Sequence, residues 1–514
     1  MRTFFAAAAL LACLAGSATA QISGGGTPPS FDAALRAAPP TIGLPAVDHD
    51  QALAEDAAAP KDEPLRFGLP VDVPLDLTAL GVCDTLADGR KVWRLRVASP
   101  GAFSLNLLYD EFQLPPDARL FLYDDTRTQV LGAYTEANHN PDGGFATQPV
   151  AGDATILELE EPADAAFPSR VRVSRVVHAY RNLFGRGAER DYGDSGSCNN
   201  NVNCAVGDPW RTEIRSVVMI VTGGGFRLCS GALVNNTAQD MRRYLLTANH
   251  CLGGETSWIF MFNYQSPGCT NQNGPTNQTV QGCVRRASLG DSDFALLELN
   301  TPIPASYHPV WAGWSAAGEV PASGVCIHHP SGDIKKISFE DAPLVSDRYL
   351  GNSGVTGSHW KVVDWDDGTT EGGSSGSPIF DPDHRIVGQL HGGYASCSSQ
   401  TSDWYGKFSM SWDRGSTPAT RLRDWLDPGN TGQLTLDALD PEAVPEAASL
   451  SLRYLPGTHR LSLEWEATPN TTSWRVEGAP TAAGPWTELM EVGSPDLQFD
   501  AATAPAFFRV VSIR

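Results

Sequence analysis

The chain has 514 residues, is 41% hydrophobic and 19% charged, and carries a net charge of −22. That length exceeds what one core can hold, so several folded units are expected. The hydrophobic fraction excludes wholesale disorder, and the negative charge excludes nucleic acid and anionic membrane surfaces as partners.

Residues 1–20 read as a cleaved secretory signal. Arg2 gives the positive start, Phe4 to Leu14 the apolar run, and Ala18-Thr19-Ala20 the small-residue cleavage site. The run is too short to span a bilayer; a lipoprotein site at Leu11-Ala12-Cys13 is the alternative. Residues 21–65 are rich in Ala, Pro and Gly with little periodicity, which predicts a flexible leader. Residues 66–192 become β-like: Lys91 to Val97 alternates, and Arg119 to Tyr123 and Thr155 to Leu159 are short strands. Turn residues at Pro115-Pro116 and Asp142-Gly143-Gly144 divide them, so one antiparallel sandwich-type domain is expected. Residues 183–197, with Arg186 and Arg190, read either as a plain linker or as a loop open to proteolysis. Residues 193–440 hold many short strands and close on a helix expected over Ala419 to Leu426, halted by Asp427-Pro428-Gly429. Residues 446–514 alternate again, as in Arg460 to Trp465, in a texture similar to a fibronectin type III sandwich.

Of ten cysteines, Cys13 leaves with the signal and Cys83 stands alone. The other eight lie between Cys198 and Cys397, an even number in an oxidising compartment, which predicts disulfides. Zinc is the rival, but no CxxC pair or His spacing suits it.

Three segments of the 193–440 block carry chemistry in combination. Thr247-Ala-Asn-His250-Cys251 sets a His after an apolar strand, Ser292-Asp293 opens another strand, and Gly372-Gly373-Ser374-Ser375-Gly376 is a Gly-lined serine turn. Alone, each has an ordinary structural explanation: a core His, a strand-end cap, a loop. Together they match the needs of a serine nucleophile, whose hydroxyl requires an imidazole to accept its proton and whose imidazole requires an acid to fix its tautomer. His250, Asp293 and Ser375 are therefore the candidate catalytic residues. The N–H groups of Gly373 and Ser375 are the candidate oxyanion donors. A bridge between Cys229 and Cys251 would brace the base. This chemistry needs no metal or organic cofactor.

The block resembles the lysyl endopeptidases, bacterial relatives of trypsin. The likeness runs through Gly196-Ser-Cys198, Cys229 to Asn236, Thr247 to Cys251, Ser292 to Asn300, Trp311-Ala-Gly-Trp314, Ile327-His-His-Pro330, Gly373 to Pro378, Gly388 to Gly393 and Trp425 to Pro428. Residues 85–182 are similar to the family's propeptide. The resemblance implies an all-β, chymotrypsin-like double β-barrel, preceded by a β-sandwich-like propeptide and followed by the small sandwich. It selects Asp293 over Asp291 as the acid, and implies disulfides Cys198–Cys397, Cys204–Cys269 and Cys229–Cys251. Cys283 and Cys326 remain and are expected to pair with each other. Asp403 takes the lysine-binding position, with Gly392 and Gly393 as the open pocket wall. His391 also fits the His-Gly-Gly run of glutamyl endopeptidases, so cleavage after Glu is the alternative to cleavage after Lys. The family's Trp near the site has no clear match, and Tyr349 lies nearby. Ser374 stands where trypsin has the Asp that binds its new N-terminus. The family's start, Gly193, follows Tyr192, so cutting after Arg190 or by another protease is expected. The implied protein is a monomeric, secreted serine endopeptidase made as a preproenzyme and acting on proteins and peptides; the rival class is a catalytically silent homologue that binds or adheres.

Overall fold

The computed structural model describes residues 23–32, 35, 37–59, 63–139, 144–182, 195–222, 224–443, 450–455, 458–465, 473–480, 487–494, 496–500 and 507–513. The expected signal sequence and the expected cleavage region around Arg186, Arg190 and Gly193 lie outside the described residues. The chain divides into two units, Met1–Leu439 and Asp440–Arg514. Among the described residues no helix is long and apolar enough to cross a membrane.

Alternating apolar residues build an N-terminal sandwich from two sheets. One runs in the order Thr41–Gly43, Lys91–Ala98, Ala154–Glu161, Arg119–Tyr123, Val130–Tyr134; the other runs Val150–Ala151, Ser104–Gln113, Arg170–Ala179, Gly68–Asp76. Leu95 and Val97 of one sheet and Leu105 and Leu107 of the other bury the inward positions that a period of two provides. The sandwich does not stand apart: Phe67, Leu108 and Val177 share a core with Met219, Val221 and Leu228 of the following barrel.

The stretch read as a flexible leader is structured in part. His49–Ala58 forms a helix capped by Asp48, whose side chain accepts from the Gln51 amide at 3.0 Å. Composition hid it because only Ala52 of the helix is buried, so there is no apolar stripe to read. Charge holds it instead. Asp56 accepts from Arg66 Nε at 2.8 Å, Tyr180 OH at 2.7 Å and Arg181 Nη2 at 2.8 Å. Burial alone would raise the Asp56 carboxyl, but these three donors hold it below its ordinary value.

Two antiparallel β-barrels follow. The first takes the order Thr279–Gln281, Ile259–Met261, Val217–Thr222, Arg227–Leu233, Tyr244–Ala248, Phe294–Leu299, Cys283–Leu289. The second runs from Asn200–Asn201 through Lys336–Glu340, Gly324–His328, Pro378–Phe380, Arg385–Gly393, Asp403–Lys407 and His359–Val362 to Val345–Asp347. Near-continuous burial along strands such as Tyr244–Ala248 and Phe294–Leu299 follows from both their faces being covered. A common core containing Ala232, Leu246, Phe294, Trp314, Ile386 and Phe408 joins the barrels. The helix expected over Ala419 to Leu426 is shorter: a 3-10 turn at Pro418–Thr420, extended backbone at Arg421, then one turn at Arg423–Leu426. The separate unit holds two three-stranded sheets that close on Leu463, Trp465, Trp474 and Val476.

Three bridges are present: Cys198–Cys397, Cys204–Cys269 and Cys229–Cys251. The expected Cys283–Cys326 bridge is not formed. Both are buried free thiols, one opening a strand of the first barrel and the other inside a strand of the second. Cys326 Sγ sits 3.3 Å from Ser377 Oγ, and burial pushes its thiol up to about 12. An even count sets how many cysteines can pair; it cannot tell that these two sit in different barrels.

Candidate active site

Strand pairing brings His250 and Asp293 together. Tyr244–Ala248 and Phe294–Leu299 are neighbours, with Ala248 opposite Phe294, so the residues just past one strand end and just before the other meet. The Asn249 amide donates to the Asp293 carbonyl at 2.8 Å. Asp293 adopts left-handed backbone, φ +54°, which aims its carboxylate at both the main chain and the ring of His250. Oδ1 accepts the His250 amide at 2.9 Å, and Oδ2 lies 2.7 Å from Nδ1. Burial would raise this carboxyl, but the charges of His250 and His391 and the His250 hydrogen bonds hold it below its usual value. Asp291 instead pairs with Arg414 at 2.8 Å on the surface.

Ser375 approaches from the second barrel. Its carbonyl accepts from the Ser230 amide at 2.8 Å and lies 4.0 Å from the sulfur of Cys251, next in sequence to His250. Gly376, at φ +81°, permits this approach, because a methyl group there would collide with Thr247 Oγ1. Gly373, at φ +91°, turns its carbonyl toward Ser230 Oγ, 3.0 Å away. The turn's own backbone bonds use the N–H groups of Ser374, Gly376 and Ser377.

Two contacts brace this turn from behind. Ser374 Oγ lies 2.7 Å from Nδ1 of His328, which burial keeps neutral, with a pKa lowered to about 3. Glu371 Oε1 accepts from the Gly196 amide at 2.7 Å and Asn199 Nδ2 at 2.9 Å, and Oε2 accepts from Ser331 Oγ at 2.7 Å. The start of the first barrel region is thereby tied to the serine turn without the acid that trypsin uses.

Beside Ser375 lies a cavity of about 410 Å³ whose wall includes Gly392, Gly393 and Asp403. Gly393 pairs with Asp403 across adjacent strands, and a methyl group at 393 would collide with the Asp403 carboxylate. Asp403 is 1% exposed. Its Oδ2 accepts from Thr370 Oγ1 at 2.6 Å and Trp365 Nε1 at 2.8 Å, and its Oδ1 lies 3.4 Å from the Ala395 amide. Glu63, Pro64 and Leu65 from the end of the leader, and Arg66 beside them, line the same cavity. Leu65–Arg66 adds to the first barrel as an extra strand, pairing with Arg227 and Leu228.

His391, expected among the substrate contacts, lies elsewhere. It stacks on Tyr349 with ring centres 3.6 Å apart and planes 5° from parallel, and its Nε2 is 3.7 Å from Asp293 Oδ2. Tyr349, noted from sequence as lying near the site, packs here against His391. The facing atoms of His250, Asp293 and His391 lie within 4.8 Å of one another, a metal-like spacing. The 2.7 Å contact between two of them is that of a bridging proton. Thr370, Trp365 and His359 were not singled out as site residues from sequence: none sits in a motif, and they come here on the strand His359–Val362 and the loop that follows it.

Residues 192–406 match the family model for "Lysyl endopeptidase, C-terminal domain". A lysyl endopeptidase of Pseudomonas aeruginosa is 28% identical over 462 residues, covering 79% of this chain and 97% of the relative. Among solved structures, a Glu endopeptidase in complex with MPD aligns at 16% identity and TM-score 0.26, over 43% of this chain and 92% of that one. A structure of HBP aligns at 14% identity and TM-score 0.28, over 43% and 93%. The chain is a serine endopeptidase, and its residues 192–406 are similar to the lysyl endopeptidase C-terminal domain.

Proposed function

We propose that the protein is a secreted endopeptidase that cleaves after lysine, made as a precursor whose leader covers the site, with His250, Asp293 and Ser375 as its catalytic residues. Ser375 Oγ attacks the scissile carbonyl while His250 Nε2 takes its proton. Asp293 holds the ring with Nδ1–H directed at Oδ2 and stabilises the imidazolium that forms. The amides of Gly373 and Ser375 donate to the developing oxyanion. Collapse of the tetrahedral intermediate breaks the C–N bond, and His250 returns its proton to the leaving amine. Water, deprotonated by His250, then attacks the acyl-enzyme and releases Ser375.

The observation that carries the specificity is the buried Asp403 carboxylate in the cavity that also reaches Ser375. A lysine side chain entering it trades its hydration for an ion pair in a site of low dielectric, whereas a glutamate would meet like charge. The His-Gly-Gly run that suggested cleavage after Glu loses its main support, because His391 turns toward Asp293. Pro64 and Glu63 in the covering segment suit a blocking role, since neither offers the pocket a cation. Secretion is supported by three disulfides, which persist in oxidising compartments.

The test is a cleavage-site profile of the processed protein on a mixed peptide library. Cleavage after Lys is expected, with kcat/KM on lysyl peptides falling by roughly a thousandfold or more in Asp403→Asn, which leaves a cation unpaired. Cleavage after Glu, or an unchanged profile in the variant, contradicts the assignment.

A further inference from the structure

Segment 63–67 crosses the site with a defined polarity. The strand Arg227–Leu233 pairs with Val217–Thr222 from Arg227 to Ala232, and its Ser230 amide donates to the Ser375 carbonyl at 2.8 Å. Leu228, Arg227 and Phe226 therefore lie successively farther from the serine turn. Leu65 pairs with Leu228, Arg66 with Arg227, and the Phe67 amide donates to the Phe226 carbonyl at 3.0 Å. The segment thus runs away from Ser375 in its N-to-C direction. On the proposed reading, that is the polarity of the half of a substrate that follows the cleaved bond, since the other half carries the side chain directed at Asp403. Leu65 also lies against the serine turn: a methyl group on Gly372 would come within 3.3 Å of its side chain.

A charged contact anchors this pose. Arg227 Nη1 donates to Glu63 Oε2 at 3.0 Å and to the Pro64 carbonyl at 3.1 Å. Its guanidinium lies 5.9 Å from the centre of the Phe226 ring, which packs against the core shared by sandwich and barrel. Arg227 lines the cavity beside Ser375, where the other basic lining residue among those described is Arg66 of the segment itself. Loss of the leader removes Glu63, Pro64 and Arg66 together and leaves Arg227 as the cation at the rim. Glu371, an acid on the same wall, is engaged by Gly196, Asn199 and Ser331. We propose that Arg227 and the Arg227–Leu228 edge form the subsite for the leaving half of the substrate, and that Arg227 favours Asp or Glu at the first or second position after the cleaved bond, a place that Glu63 holds in the precursor. The backbone edge takes the substrate as an added strand, and the guanidinium supplies the choice of side chain. The Arg227 side chain is 27% exposed, so the preference is a matter of a few-fold rather than of orders of magnitude.

This inference rests on the proposed cleavage after lysine, and its test separates the two. The probes are two pairs of lysyl peptides, one differing only by Glu or Gln at the first position after the lysine, the other at the second. In the processed protein, kcat/KM should favour Glu by about threefold to fivefold in at least one pair at low salt, and the preference should fade as salt rises. Arg227→Gln should bring that ratio to one, and Arg227→Glu, by reversing the charge, should bring it below one. The same peptides, left uncleaved, should bind processed Ser375→Ala protein with the same preference, which reads the subsite without the chemistry. A ratio of one for both pairs in the unaltered subsite, or a ratio that Arg227→Gln leaves unchanged, overturns the inference. Binding that keeps its preference while neither peptide is cleaved after lysine would uphold the subsite and strike instead at the proposed function.

Discussion

A carboxylate at the bottom of a pocket is useful only if it is correctly aimed when water is gone. Asp403 meets that demand through two donors on one oxygen, Trp365 Nε1 and Thr370 Oγ1. Hydrogen bonds to charged groups contribute about 1.5–3 kcal/mol each, so Trp365→Phe, which removes only the N–H, should lower kcat/KM on lysyl peptides by roughly tenfold to a hundredfold. Steady-state kinetics on one lysyl and one arginyl peptide checks this; an unchanged rate on both would show that Asp403 is held by other contacts. The sequence offered His250, Asp293 and Ser375 as candidates because each sits in a short motif with its glycines or strand beside it, and it offered Asp403 through the family resemblance. Trp365 and Thr370 carry no such local mark. They reach Asp403 because that residue opens a strand paired with both His359–Val362 and Arg385–Gly393, a long-range fact that residue spacing does not encode. The His-Gly-Gly run misled in the opposite sense: the motif is present, but Tyr349 and Asp293 draw its His out of the pocket.

Among the larger elements, the serine turn is shaped by what lies behind it. The proposed oxyanion geometry rests on Gly373 at φ +91°, and the segment leading into the turn is anchored by Glu371 to Gly196, Asn199 and Ser331. The Cys198–Cys397 bridge ties the 196–199 stretch to a different loop, whose Cys397 sulfur lies 3.8 Å from Glu371 Oε1. Glu371→Ala leaves the bridge intact but removes three hydrogen bonds from the turn, so kcat should fall by roughly tenfold to a hundredfold while KM changes little. An increase in KM with kcat preserved would instead assign Glu371 to the pocket wall. The β texture of the barrels was readable from alternation and turn residues. The His49–Ala58 helix was not, because ion pairs to Arg66 and its neighbours, rather than an apolar face, hold it down.

At the scale of the whole molecule, the N-terminal sandwich and the first barrel share a core, and the covering strand Leu65–Arg66 is an added member of that barrel's sheet. Arg66 of this strand is paired with both Glu55 and Asp56 of the helix His49–Ala58, so on the proposed reading the same contacts that fold this segment hold it over the site. The central claim is that Ser375 is a nucleophile made reactive by His250 and uncovered by loss of the leader. The most direct measurement is covalent labelling with a fluorophosphonate, followed by peptide mapping of the modified residue. One label per processed chain, on Ser375, is expected, with little in the unprocessed chain and a labelling rate about a thousandfold lower in His250→Ala. Labelling at another serine, or at an undiminished rate in His250→Ala, would contradict the account.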